Sequence, residues 1–379
     1  MPFSLPHPQL YPFQELIRKK VSLQTQGKQI FDLSTGVCSI GAPAIAVDIL
    51  RKEALSPHHH HYSLYNGLLE VRQTVCSWFS QRFSVNLNAE TEITMLSGSK
   101  EGLAKIGRAV VRPGKWAILC DPAYPIYKES VLQAGGQIHL LPLREENGFL
   151  PDFSEVPLTV LENCDAIFLN FPHNPTGATL TTNFIGELES LVSRYDMRIV
   201  HDMAYSEIYR DNPTTSLLSV ESLRSRTVEF HSFSKNYGMS GFRIGFAVGS
   251  SDIIKALVSL KARLGSSIFE PIQYATQAIL LSDTDESLPY RRHCNNNREI
   301  LEKALDSAGV VYAPEQTGYF IWATIPQKFE TSEEYATFLL EKRGVLALPG
   351  SFLGQESSQY IRFSVAGIQE NVEEVAKLL

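Results

Sequence analysis

One lysine of the chain has neighbours that suggest chemistry. Lys235 directly follows the predicted strand Thr227–Phe233. The hydroxyl groups of Ser232 and Ser234 precede it, and Arg243 follows it by eight residues. Ligands of α/β proteins bind at the carboxyl ends of sheet strands, and a lysine there can form a Schiff base with a carbonyl if burial or nearby cations keep its amine neutral. Hydroxyl and guanidinium groups suit an anionic phosphate. This segment alone also leaves open a solvated surface lysine.

Two further predicted strands end in polar side chains. Asn174 follows the apolar run Ala166–Phe171, and Asp202 follows the strand Arg198–His201, with Tyr205 three residues later. An aspartate at a strand end can hold a protonated pyridine nitrogen, and its combination with a Schiff-base lysine is the recurring requirement of pyridoxal phosphate chemistry. Amide and phenol groups suit the phenolate oxygen of that ring. Three strand-end sites in the order Asn, Asp, Lys therefore predict a pyridoxal phosphate site.

A helix start provides a further candidate phosphate site. Ser99 and Lys100 stand between the predicted strand Ile93–Leu96 and a predicted helix over Glu101–Val111. The N-terminus of a helix offers free N–H groups and the positive end of the helix dipole to a phosphate. Lys100 in the first turn is unfavourable against that dipole unless an anion is bound. Its position therefore favours a bound phosphate over a simple capped surface loop.

With these motifs, the chain resembles the class I and II aminotransferases of the fold-type I pyridoxal phosphate enzymes. The resemblance extends from about Tyr11 to Val365, and Gly98–Gly102 and Asp121–Tyr127 are most similar to the subgroup of LL-diaminopimelate, alanine and aspartate aminotransferases. It implies a homodimer that uses pyridoxal 5'-phosphate to move an amino group between an L-amino acid and a 2-oxo acid by a ping-pong mechanism. The implied fold is α/β, with a mostly parallel central sheet covered by helices on both faces and a smaller α+β domain.

The resemblance also assigns roles around the cofactor. Lys235 corresponds to the Schiff-base lysine, which also moves the proton between the substrate Cα and the cofactor. Asp202 corresponds to the partner of the pyridine nitrogen, while Asn174 and Tyr205 would bind the phenolate oxygen, and Tyr124 would stack on the ring. The residues implied to bind the phosphate carry hydrogen-bond donors and are Ser99, Lys100, Ser232, Ser234 and Arg243.

Other matches concern the substrate and a neighbouring subunit. Arg362 corresponds to the arginine that holds the substrate α-carboxylate, although its alternating strand also allows an outward-facing charge on an edge strand. Gly36 matches the backbone that closes over that carboxylate, and Asn174 and Tyr11 would border the substrate. Tyr62 matches a tyrosine that reaches the phosphate bound by the neighbouring subunit.

The substrate and the reaction remain open at this point. Another α-carbon enzyme on the same scaffold, such as a C–S lyase, a cyclase or an oxidative deaminase, would use the same cofactor residues. The run Gly36–Gly41 departs from the Pro-Asp turn common in the family. The segment Leu264–Phe269 offers serines and no arginine for a distal carboxylate, with Arg263 nearby as a weak candidate. An acidic substrate is therefore not favoured.

The pattern of apolar runs predicts the domain organisation. After about Leu281 the strand–helix alternation gives way to a long helix, Arg291–Ala308, and later to the strand Tyr360–Val365. We expect an N-terminal arm that forms part of the small domain (1–40), a large cofactor-binding domain (41–280) and a small C-terminal domain (281–379). The predicted strands of the large domain are Ile93–Leu96, Trp116–Cys120, Ile138–Leu141, Ala166–Phe171, Arg198–His201, Thr227–Phe233 and Gly245–Val248.

Composition excludes several classes of function. The chain has 379 residues, 44% of them hydrophobic and 20% charged, and a net charge of −7 without a basic tract, so nucleic acid is not an expected partner. Neither a signal pattern nor a membrane-spanning run is expected, and five scattered cysteines favour a reduced cytoplasmic setting. His58–His61 lacks thiols or carboxylates at ligand spacing, which favours a solvated or interface segment leading into Tyr62 over a metal site and leaves metal binding there open.

Overall fold

The computed structural model describes residues 13–265, 267–313, 316–368 and 372–379. The strands in these residues are β1 (Phe31–Asp32), β2 (Ile93–Leu96), β3 (Trp116–Asp121), β4 (Gln137–Pro142), β5 (Cys164–Asn170), β6 (Arg198–Asp202), β7 (Thr227–Ser232), β8 (Gly245–Gly249), β9 (Phe320–Thr324), β10 (Val345–Leu346), β11 (Leu348–Pro349) and β12 (Tyr360–Ser364). The α-helices are α1 (Gln14–Thr25), α2 (Ala44–Ala54), α3 (Leu69–Phe83), α4 (Ser99–Val110), α5 (Ile126–Gln133), α6 (Leu158–Leu161), α7 (Thr182–Tyr195), α8 (Glu221–Arg224), α9 (Phe233–Asn236), α10 (Ser251–Leu264), α11 (Glu270–Leu280), α12 (Leu288–Ser307), α13 (Ser332–Phe338) and α14 (Val372–Leu378).

A seven-stranded sheet in the order β2-β8-β7-β6-β5-β3-β4 forms the centre of the fold. The pairs from β4 to β7 are all parallel, and β8 runs antiparallel to both β7 and β2. The prediction of a mostly parallel α/β sheet is therefore confirmed. Each predicted strand of this sheet is present, with ends that differ by two residues or fewer.

The inner strands β5, β7 and β8 are buried at every position because both faces of the sheet are covered. In β5, Ile167 packs in one hydrophobic cluster together with Leu188 of α7, while its neighbour Phe168 packs in a second cluster together with Leu103 of α4. Successive side chains of a strand point to opposite faces, so alternate residues supply two separate cores. This is the reason that β5 has no exposed position.

The C-terminal part contains a second, antiparallel sheet in the order β11-β12-β9. The short strand β1 pairs with β10, which connects the N-terminal segment to this part of the chain. Helix α12 begins at Leu288, three residues before the predicted start, because Pro289 suits the first turn of a helix. The domain boundaries at residues 40 and 280 remain a prediction.

One local prediction differs from the structure. The predicted strand Thr227–Phe233 ends at Ser232, since the Ser232 hydroxyl accepts a hydrogen bond from the Ser234 backbone N–H and starts α9. Lys235 therefore lies on this short helix at the end of β7. The segment Pro57–His60 forms one 3-10 turn.

Within the described residues, none of the helices combines the length and apolar character needed to cross a bilayer.

The tight contact between α4 and α5 leads to a stability prediction. A Cβ atom on Gly107 would lie 2.1 Å from the Ser130 carbonyl oxygen, so Gly107→Ala should force the helices apart. We expect a loss of about 1–3 kcal/mol, seen as a thermal midpoint lowered by several degrees. Gly186→Ala is the matched control, because its Cβ would meet no atom within 4 Å and alanine favours the helix. Equal midpoints for both variants would contradict the packing argument.

Candidate active site

The carboxyl ends of the central parallel strands bring the predicted residues to one cavity of about 330 Å³. Asn170 and Asp202 are register partners at the ends of β5 and β6, and Asn170 Nδ2 donates to the Asp202 carbonyl at 2.8 Å. The predicted residues that line this cavity are Gly36, Ser99, Lys100, Tyr124, Asn174, Asp202, Tyr205, Ser232, Ser234, Lys235, Arg243 and Arg362.

Asp202 is a buried carboxylate held by two donors. The Tyr127 hydroxyl donates to its Oδ2 at 2.8 Å, and the Ala204 backbone N–H donates to its Oδ1 at 3.1 Å. Burial raises the pKa of Asp202, while these two hydrogen bonds oppose the rise. An anion so placed at a strand end can stabilise a cationic group in the cavity.

The amine of Lys235 lies in an environment that favours its neutral form. Burial lowers its pKa to about 8, and the nearby cations Arg362 and Arg243 act in the same direction, while Asp202 opposes them. The amine donates a hydrogen bond to the Gly36 carbonyl. A neutral amine is the nucleophilic form, so this environment prepares the lysine for attack on a carbonyl.

Cations and backbone N–H groups converge at the start of α4. The guanidinium of Arg243 lies against Gly98, where a Cβ would be 2.5 Å from Nη2. Gly98 has φ +76°, which glycine adopts freely. The Lys100 ammonium lies 5.7 Å from the centroid of the Tyr124 ring. Two cations at a helix N-terminus form an anion-binding cup.

Arg243 also has a strained backbone, with φ +53°. Non-glycine residues in this region are uncommon and cluster at functional sites. One guanidinium nitrogen donates to the Ser240 carbonyl at 2.9 Å, which holds the side chain over the cup.

Arg362 is buried on the central strand of the second sheet, so it is not an outward-facing charge on an edge strand. Its Nη1 donates to Asn174 Oδ1 at 2.8 Å, and its Nη2 donates to the Ser34 carbonyl at 2.6 Å. The guanidinium carbon lies 3.9 Å from the centroid of the Phe320 ring. The planar group is thereby oriented for bidentate contact with a carboxylate.

Asn174 and Tyr205 complete the polar wall. The Asn174 backbone N–H donates to Asn170 Oδ1 at 3.0 Å, and the Asn174–Pro175 bond is cis. Burial raises the pKa of the Tyr205 hydroxyl, with Arg362 opposing the rise. Tyr205 therefore keeps its proton at neutral pH and can donate a hydrogen bond into the cavity.

One predicted residue lies away from the cavity, and another is outside the described part of the chain. Tyr62 is 97% exposed and does not line the cavity. Tyr11 lies outside the described residues.

In the histidine segment, His59 Nδ1 contacts Glu270 at 2.7 Å and its Nε2 contacts Glu53 at 3.2 Å. Among the described residues, no group of three or more potential metal ligands is positioned around a common ion.

Several lining residues were missed from the sequence. Tyr127 on helix α5 and Asn170 at the end of β5 contact Asp202, and Phe320, Leu348 and Leu353 come from the C-terminal part. The Asp121–Tyr127 motif was a signal for Tyr127, whereas the apolar residues resemble ordinary core positions.

The donor set of the cavity fits pyridoxal phosphate. The cup at α4 suits its phosphate, the Asp202 carboxylate its pyridine nitrogen, and the Lys235 amine its aldehyde. The cavity volume lies in the range of small-molecule sites. The lowered lysine pKa and the buried aspartate are the perturbations that such a group requires.

Comparison with known proteins agrees with this geometry. The family profile described as aminotransferase class I and II matches residues 28–379. LL-diaminopimelate aminotransferase of Nitratidesulfovibrio vulgaris strain Hildenborough is 35% identical over 374 residues, covering 97% of this chain and 96% of the relative. The same enzyme of Aquifex aeolicus is 35% identical over 370 residues, covering 97% and 95%. Substrate-bound BacF of Bacillus subtilis superposes with a TM-score of 0.93 at 28% identity, covering 100% of this chain and 97% of that structure.

Fold and family together define a fold-type I pyridoxal phosphate enzyme. This chain belongs to the class I and II aminotransferases, and it moves an amino group between an amino acid and a 2-oxo acid with pyridoxal 5'-phosphate as its cofactor. The comparisons do not favour a lyase, cyclase or deaminase.

The contact between Tyr127 and Asp202 leads to a testable pH effect. Tyr127→Phe removes a hydrogen bond to a buried carboxylate, worth about 1.5–3 kcal/mol. The raised pKa of Asp202 should rise further. On acidification, Asp202 of the variant would therefore become protonated at a higher pH than Asp202 of the parent enzyme. We expect the acidic limb of kcat/KM to move to higher pH and kcat to fall about tenfold or more, measured by steady-state kinetics from pH 5 to 9.

Tyr312→Phe is the matched control, because its hydroxyl donates at 3.0 Å to the surface residue Asp306. It should leave the profile unchanged. An unaltered acidic limb in Tyr127→Phe would show that this hydroxyl does not tune Asp202.

Proposed function

We propose that this aminotransferase uses L-amino acids with uncharged side chains and that the cavity around Lys235 carries the reaction. The observation that best supports a reaction in this cavity is the proximity of Lys235 to Arg362. The Phe320 ring contacts the Arg362 guanidinium at 3.9 Å, and the Gly36 backbone adjoins both the ring and the lysine amine. An amino acid held by its carboxylate at Arg362 has its Cα within reach of the Lys235 amine.

The cofactor would be held by groups that match each of its ends. Asp202 would bind the protonated pyridine nitrogen, while Asn174 and Tyr205 would donate to the phenolate oxygen and Tyr124 would stack on the ring. Bound pyridoxal phosphate supplies an electron sink for charge that develops at the substrate Cα. The proposed phosphate ligands share positions around the start of α4 and are Ser99, Lys100, Ser232, Ser234 and Arg243.

Lys235 would also act as the general base. Its lowered pKa of about 8 leaves a substantial neutral fraction near physiological pH, which suits proton removal at the substrate Cα and return of that proton to the cofactor carbon. The amine hydrogen bond to the Gly36 carbonyl orients it toward the substrate side of the cavity. Burial of Asp202 keeps water from screening its charge during these steps.

The far wall of the cavity supports an uncharged substrate side chain. Leu348 is the register partner of Arg362 on the neighbouring strand, and Leu353 also lines the cavity. Within the described part of the chain, the lining cations are the four already assigned, Lys100, Lys235, Arg243 and Arg362. Diaminopimelate, which the relatives' names indicate, would need further polar partners for its distal groups, so we rank it second.

A homodimer is proposed because apolar side chains remain exposed on one set of adjoining segments. Helix α2 packs against α11, and the loop that carries Tyr62 follows α2. These side chains are Val37, Ile45, Val47, Leu55, Tyr62, Leu64, Tyr65, Leu69, Leu264, Phe269 and Leu281. Contiguous exposed apolar surface marks interaction sites, and Tyr62 would reach the phosphate of the neighbouring subunit.

Contacts between the proposed domains support closure over the substrate. The Ala123 N–H donates to the Leu353 carbonyl at 2.9 Å, and the Gln355 N–H contacts both Asp121 carboxylate oxygens at 3.1 Å. These bonds join the proposed large domain (41–280) to the small domain (281–379) beside Tyr124. Such closure would exclude water.

A cytoplasmic location is proposed because the five cysteines are unpaired thiols.

The proposed reaction is tested with single amino acids and purified holoenzyme. Uncharged L-amino acids should abolish the visible absorbance of the lysine-bound cofactor and release one equivalent of 2-oxo acid, faster than LL-diaminopimelate or aspartate. Lys235→Ala should lack that absorbance from the outset, whereas Lys255→Ala on the exposed face of α10 should keep it. Release of ammonia with pyruvate, or oxygen uptake, would overturn transamination.

The proposed role of Arg362 in carboxylate binding is tested by comparing substrates with and without a carboxylate. Arg362→Lys removes the planar fork that makes two charged hydrogen bonds, each worth about 1.5–3 kcal/mol. We expect kcat/KM for amino acids to fall about 100-fold, mainly through KM, while the slow reaction with an amine lacking a carboxylate changes little. Arg343→Lys, an exposed arginine of the same part of the chain, is the control. An equal loss for both substrates would exclude carboxylate binding.

A further inference from the structure

A fully buried lysine lies outside the cavity. Lys261 of α10 is 0% exposed and does not line the cofactor site. Its ammonium donates to the Tyr65 carbonyl at 2.6 Å, to Thr94 Oγ1 at 3.2 Å and to the Met95 carbonyl. Lysine is almost never fully buried unless it is paired, so this position needs an explanation.

The three acceptors belong to two segments with a connection to phosphate binding. Thr94 and Met95 lie in β2, which ends just before the Gly98 turn and the start of α4. Tyr65 lies in the loop 62–68, which carries Tyr62 at its outer end. The lysine therefore ties the Tyr62 loop of a subunit to the strand that leads into its own phosphate cup.

A buried glutamine braces the same loop from the other side. Gln273 Oε1 accepts from the Leu68 N–H at 2.8 Å, while Nε2 donates to the Ile268 carbonyl at 2.9 Å and to Ser63 Oγ at 3.4 Å. Gly67 allows the close approach, because a Cβ there would lie 2.4 Å from Met95 Cγ. The base of the loop is thus fixed while Tyr62 itself remains 97% exposed.

The burial of Lys261 opposes its charge. Desolvation lowers its pKa to about 8, with Glu101 acting against the shift and Lys105 reinforcing it. The ammonium has three hydrogens, one for each of its three partners, so its protonated form can satisfy all of them as a donor. A methionine would fill a similar volume without this desolvation cost but would remove the donor that joins the Tyr65 carbonyl to Thr94 and Met95 of β2. The lysine is thus better suited to hold geometry than to provide apolar packing.

We infer that Lys261 is a positioning residue that holds the 62–68 loop so that Tyr62 reaches the cofactor phosphate of a neighbouring subunit. The inference rests on the proposed dimer and the proposed role of Tyr62. Its effect is on cofactor binding, because Lys261 reaches the phosphate through the loop and touches neither substrate nor cofactor.

A double-mutant cycle on cofactor affinity tests this inference. The dissociation constant of pyridoxal phosphate is measured by titration of apoenzyme for the parent protein, Tyr62→Phe, Lys261→Met and the double variant. Tyr62→Phe should weaken binding about tenfold, the effect of losing a hydrogen bond to a charged group. Lys261→Met should weaken it about three- to tenfold in the parent background, but less than twofold when Tyr62 is already Phe. Lys255→Met on the same helix should change neither value.

Hydrogen exchange of the apoenzyme provides a second readout that needs no cofactor. Lys261→Met should accelerate amide exchange in residues 62–68 while the rest of α10 stays protected, and sedimentation should show the same assembly as the parent. If Lys261→Met does not fold, Gln273→Leu takes its place in the cycle, because it removes the other brace of the loop.

Several outcomes would overturn the inference. Equal weakening by Lys261→Met in both backgrounds would mean a general structural role, and unchanged affinity would mean no role in phosphate binding. An unchanged affinity in Tyr62→Phe would remove the contact that Lys261 is inferred to position. Failure of transamination itself would leave these results intact, since cofactor affinity is measured without turnover.

Discussion

The site depends on the hydrogen-bonded register of the parallel strands β5, β6 and β7. That register sets Asn170 beside Asp202, and the short helix after β7 places Lys235 at the same edge of the sheet. Because the backbone groups of the strands are satisfied within the sheet, the side chains at the strand ends remain available to a ligand. The same edge then receives Arg362 from a strand of the second sheet.

Desolvation gives these groups their chemical character. The pKa of the Asp202 carboxyl is raised and that of the Lys235 amine is lowered by burial, so each is less stable in its charged form than it would be in water. Nearby groups then oppose or reinforce these pKa shifts. The Tyr127 hydrogen bond stabilises the Asp202 carboxylate, whereas the positive charge of Arg362 disfavours protonation of Lys235. The cavity is thus suited to a ligand that brings its own charges, a phosphate and a pyridine nitrogen.

Much of the fold and the site was predictable from local signals. Strand β2 and the turn after it were predicted because an apolar run ends at Gly98–Lys100, and the strand-end position of Asp202 because a short apolar strand ends there. The helical turn that carries Lys235 was missed, since the Ser232 cap that starts it is a side-chain contact to the backbone. Tyr127 was also missed, because its partner Asp202 is 75 residues away in sequence.

The sequence by itself determined which residues stand at strand ends and helix starts, because hydrophobic period and turn residues are local properties. The family resemblance added their roles. Only the tertiary structure decided that Arg362 is buried against Phe320 and Asn174, that Leu348 lies beside it, and that the Lys261 ammonium joins a loop to a strand. These contacts connect residues distant in sequence, and their energies depend on burial, which exists only once the chain has folded.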